Sequence, residues 1–69
     1  MDKMKGYVAR DGFGGTVSFF SSKPYRPSEG LGIWKIREGG VVHLPKEMFP
    51  DLKWEDEPME VEVTFTPIK

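Results

Sequence analysis

The residues best suited to chemistry are the consecutive acids Glu55, Asp56 and Glu57 in the run KWEDEP, Lys53 to Pro58. Their oxygens are the ligands that hard cations take. In an extended segment, however, neighbouring side chains point to opposite sides, so consecutive carboxylates do not converge on one ion. The run also lacks the alternating acids and glycine of an EF-hand loop. No metal or other cofactor is therefore expected. The acids read instead as a solvated loop pinned by a buried Trp54, or as a protein-binding edge anchored by that aromatic ring. Trp54, Glu55, Asp56 and Glu57 form the expected interaction surface.

A second group joins basic and aromatic residues: Lys23, Tyr25 and Arg26, with Phe20 nearby. Such a combination stacks an unpaired base and holds its phosphate in β-rich single-strand binders. The plainer reading packs Tyr25 over a sheet edge and pairs Arg26 with an acid of the C-terminal half. A pI near 5.7 is far from the basic footprint of a dedicated nucleic-acid binder. Single-stranded nucleic acid is thus the alternative partner, and a protein is the leading one.

Catalysis is poorly supplied. His43 is the single histidine, and no nucleophile lies near it in sequence. The serines lie outside any nucleophile-elbow context. DGFGG, Asp11 to Gly15, lacks the Gly-Lys-Ser/Thr ending of a phosphate loop. The expectation is a protein that is not an enzyme and takes no small-molecule substrate.

The elements that must position these residues are few. With 69 residues, one domain spanning 1–69 is expected. A domain of this size buries only roughly 60% of its unfolded surface and usually needs a disulfide, a metal or self-association for stability. There is no cysteine, which leaves self-association as the candidate and fits a reducing, cytoplasmic setting. No N-terminal signal-like run and no stretch of about 18 apolar residues is found, so no membrane is expected as a partner. Charge is asymmetric: residues 1–37 carry seven Lys/Arg against three acids, and residues 38–69 three Lys against eight acids. Such halves attract when they pack, or favour an oppositely charged partner.

Periodicity predicts a mainly β chain. Gly6 to Arg10 and Thr16 to Ser22 read as a hairpin about the glycines of DGFGG. Lys23 to Gly30 is a proline-broken loop. Leu31 to Arg37 and Val41 to Leu44 read as a second hairpin, with Trp34 and Ile36 on one face and Leu31 and Ile33 on the other. Pro45 suits the first position of a short helical turn, and Pro50 ends it, so that Met48 and Phe49 plug one end of the sheet. Met59, Val61, Val63 and Phe65 then alternate with Glu60, Glu62, Thr64 and Thr66 as one half-buried strand, in which Val61 and Phe65 are expected to be inner residues. The expected architecture is a small antiparallel five-stranded meander, or a partly closed SH3-like barrel, with one short helical turn before the last strand.

KGYVARDG (Lys5 to Gly12), FSSKPYR (Phe20 to Arg26) and LPKEMFPDLKWEDEPMEVEVT (Leu44 to Thr64) occur in this order. In this the chain, from Met4 onward, resembles small proteins of unassigned function from gut Bacteroides-type bacteria and their phages. The resemblance implies a phage or prophage accessory protein, places the start of similar chains at the equivalent of Met4, and supplies no catalytic residue. With the missing catalytic groups and the divided charge, it leads to a non-enzymatic β-domain that mediates protein–protein interaction or self-association.

Overall fold

A computed structural model describes residues 2–28 and 30–68. Its strands are β1 (Asp2–Arg10), β2 (Val17–Phe20), β3 (Val41–Leu44) and β4 (Met59–Phe65). They form one antiparallel sheet in the order β3-β2-β1-β4, which is the order of a Greek key. The hairpin β1–β2 forms as its local signals require, with Gly14 and Gly15 at φ +79° and +70° in the connecting turn.

Three expectations about the architecture are corrected. Four strands form where five were expected, because Leu31 to Arg37 does not join the sheet. Its backbone bonds elsewhere: the Gly32 carbonyl accepts from Phe13 N–H at 2.9 Å, Trp34 N–H donates to Asp11 Oδ1 at 3.0 Å, and Lys35 exchanges two bonds with Tyr25. β3 therefore pairs with β2, Phe19 opposite Val42, rather than with the segment just before it.

The expected helical turn is also absent, and no helix is found among the described residues. Residues 45–52 form tight turns closed by Met48 N–H to Pro45 O and Leu52 N–H to Phe49 O, each 3.0 Å. Phe49 has φ +54°, outside the right-handed helical region that the following proline disfavours. Arg10 takes up the carbonyls here: its guanidinium donates to the oxygens of Lys46, Met48, Phe49 and Leu52, and to Gly15 across the hairpin.

Finally, the sheet is open and does not close as an SH3-like barrel, since β3 and β4 are its two edges and do not meet. No helix among the described residues is long and apolar enough to cross a membrane.

Apolar residues cover both faces of the sheet centre. Val8, Val17, Phe19 and Leu52 make one cluster, with Phe49, Met59 and Val61 against it. Ala9, Phe20 and Trp34 make the other, joined by Ile36 and Trp54. Neighbouring strand residues point to opposite faces, so the chain passes from one face to the other between Leu52 and Trp54. Phe65 departs from the expected inner position: it is 54% exposed, because β1 and β4 run past the end of β2 and no other strand among the described residues covers them there.

Candidate interaction surface

The acidic loop is held by a stack of aromatic and cationic groups. Trp54 is half-buried and meets Trp34 edge to face, with ring centroids 5.5 Å apart. The Arg26 guanidinium lies 4.4 Å from the Trp34 ring centroid and 4.9 Å from that of Trp54. Its Nη2 donates to the carbonyls of Trp54 at 2.6 Å and Asp56 at 3.2 Å. Nη1 stands 4.0 Å from Glu57, an exposed contact worth little by itself. On the inner side, a Cβ at Gly12 would meet the Trp54 ring at 2.9 Å, so a glycine is needed for the indole to lie this close.

Within the loop, Asp56 accepts from Lys53 N–H at 2.9 Å and returns its own N–H to the Lys53 carbonyl at 3.0 Å. One acid thus shapes the turn, and Glu55 and Glu57 are left pointing into solvent. Among the described residues no three His, Cys, Asp or Glu side chains gather as a metal would require.

The basic-aromatic group is divided by the fold. Arg26 belongs to the tryptophan stack. Lys23 and Tyr25 line a shallow concavity with Arg37, whose guanidinium lies 4.9 Å from the Tyr25 ring. Arg37 is not singled out by the sequence, because the Tyr25–Lys35 bridge that brings it beside Tyr25 forms only in the fold. His43 is exposed on β3 opposite the buried Ser18.

Two features of the sheet complete the surface. One face carries an open apolar groove of about 350 Å³, with Met4, Phe19, Val42, Met48, Val63 and Phe65 along it. Beside it, the outer edge of β4 has no strand partner among the described residues. This edge is seven residues long, and its register with β1 is unbroken from Met59 to Phe65. It begins one residue after the acidic loop ends.

No family model, curated protein or solved structure matches the chain.

Proposed function

We propose that this chain is a non-enzymatic interaction domain that presents the β4 edge and the adjoining acidic loop to a protein partner or to its own copy. The observation that carries the reading is the free, regular edge of β4. Its unpaired backbone donors and acceptors are a template for strand addition. Glu55, Glu57, Glu60 and Glu62 are all exposed beside it, and they favour an approaching cation. The Trp34–Arg26–Trp54 stack supports this use, because a loop fastened by such contacts has less entropy to lose when it binds. The accessory role implied by the resemblance to phage-borne chains fits a protein that acts by contact.

The experiment is affinity capture with the wild type and a Glu55→Lys, Glu57→Lys double variant, followed by salt titration of whatever binds. A partner lost in the variant or released by salt supports the reading. Capture indifferent to both, with a protein that stays monomeric, removes it.

A second reading is single-stranded nucleic-acid binding by Lys23 and Tyr25, with Arg37 in place of the occupied Arg26. Their common concavity favours it. Retardation of single-stranded DNA at low salt that is lost in Tyr25→Ala and Arg37→Ala would support it. No retardation at low salt would exclude it.

A further inference from the structure

We infer that the partner of the β4 edge is a second copy of the same strand, paired antiparallel about a two-fold axis through Val63. This rests on the interaction reading above and names its partner. The two edges of the sheet differ in how they are protected. β3 is four residues long, with Gly39 and Gly40 before it and Pro45 after it, features that discourage strand addition. β4 has seven residues, no proline, no lysine and no bulge. It is the edge left open to another strand.

The order of residues in β4 makes it complementary to itself. In an antiparallel pair about Val63, Glu62 faces the partner's Thr64, Val61 faces the partner's Phe65, and Val63 faces its own counterpart. On one face aromatic meets β-branched residue, a favourable cross-strand combination, and on the other each acid stands directly opposite a neutral threonine and not opposite another acid. Other registers are worse. An axis through Glu62 sets that residue against its own copy, and an axis through Val61 sets Glu60 against the partner's Glu62. An axis through Thr64 avoids acid pairs but leaves only Val63 to Phe65 paired within the strand. A shift that offsets the pairing by one residue puts apolar side chains opposite polar ones.

In the chosen register the two Glu62 copies stand diagonally across the axis, and charge within each protomer offsets their repulsion. Glu62 lies opposite Lys5 on β1, so the acid brought to the junction already has a cation beside it. Pairing also joins the two apolar faces, and Val63 and Phe65, at the uncovered end of the groove, gain a neighbour. The interface is isologous, so it closes on a dimer.

The chain has no cysteine, so single thiols report the register directly. Opposed positions in an antiparallel pair have Cα atoms about 4.5–5.5 Å apart, within disulfide reach. Val63→Cys should cross-link to a dimer at least about tenfold faster than Glu62→Cys, whose copies are diagonal at roughly 7–8 Å. Thr64→Glu is the complementary test. Inside the protomer it faces Lys3, which favours folding, and across the axis it faces the partner's Glu62. It should raise the dimer dissociation constant about tenfold or more, read by sedimentation equilibrium, without lowering the melting temperature of the dilute protein. Adding Glu62→Thr to Thr64→Glu should restore the dimer.

A wild type that stays monomeric at millimolar concentration overturns the inference. So does a dimer that ignores Thr64→Glu or cross-links better through Glu62→Cys. In those cases, capture of another protein that is sensitive to the acidic loop still sustains the broader interaction reading, and loss of both ends both.

Discussion

Arg26 Nη2 donates to the Trp54 carbonyl at 2.6 Å while the same guanidinium lies 4.9 Å from the Trp54 ring centroid. The positive half of the chain is thereby joined to the acidic loop through a backbone acceptor and a π face, with little reliance on the distant Glu57 carboxylate. Arg26→Ala is expected to lower stability by about 1–3 kcal/mol. Arg26→Lys should recover less than half, because an ammonium lacks the planar fork. Urea unfolding of the three proteins measures this, and equal stability of Arg26→Ala and wild type would contradict it.

Arg10 fastens the other side of the sheet, reaching five carbonyls from residues 15 to 52. Lysine cannot reproduce that fork. Arg10→Lys should cost about 2–4 kcal/mol, with amide exchange rising first across residues 45–52. Uniform protection in the variant would show that these turns hold without it.

Gly6 lies beneath the Phe19 ring, and a Cβ there would collide with that ring and with the Phe20 carbonyl. Gly6→Ala should therefore destabilise by about 1–3 kcal/mol, although alanine is ordinarily the better residue inside a strand. Pairing it with Phe19→Leu, which shortens the obstructing side chain, should return part of the loss. A double-mutant cycle with no coupling between the two positions would contradict the contact.

Asp11 titrates above its ordinary value because burial disfavours its charge; the Trp34 N–H and the charge of His43 pull the other way without reversing the shift. The folded state thus holds this proton more tightly than the unfolded chain. Its contribution to stability is fully present below the unfolded pKa and is lost as the pH rises through the folded value. Asp11→Asn keeps the acceptor for Trp34 N–H and removes the titration. It should flatten that part of the profile and leave stability at neutral pH equal or higher, whereas Asp11→Ala, which also loses the acceptor for Trp34 N–H, should cost about 1 kcal/mol at acid pH and less at neutral pH. Thermal melts from acid to neutral pH separate these outcomes; a variant Asp11→Asn that loses stability most at neutral pH would refute the sign.

Much of the candidate surface was legible as residue types and little of it as geometry. Glu55 and Glu57 read as solvent-facing acids because consecutive charges have nowhere else to go, and the structure exposes them. Arg26 reads from sequence either as a companion of Lys23 and Tyr25, because neighbours share a loop, or as the partner of an acid in the C-terminal half. In the fold it turns to rings 8 and 28 residues further along the chain, a choice made by cation–π and backbone contacts that have no local signature.

Local chemistry alone determined the β1–β2 hairpin and the two-residue alternation of β4, since turn glycines and a period of two act within a few residues. Only the tertiary structure decided how the other strands pair. Leu31 to Arg37 has the pattern of a strand, yet Asp11, Phe13 and Tyr25 take its backbone groups, and β3 goes to β2 instead. The physical reason is that a backbone donor binds any well-placed acceptor. Its choice is settled by which acceptors the packed core brings near, and that is a property of the whole chain.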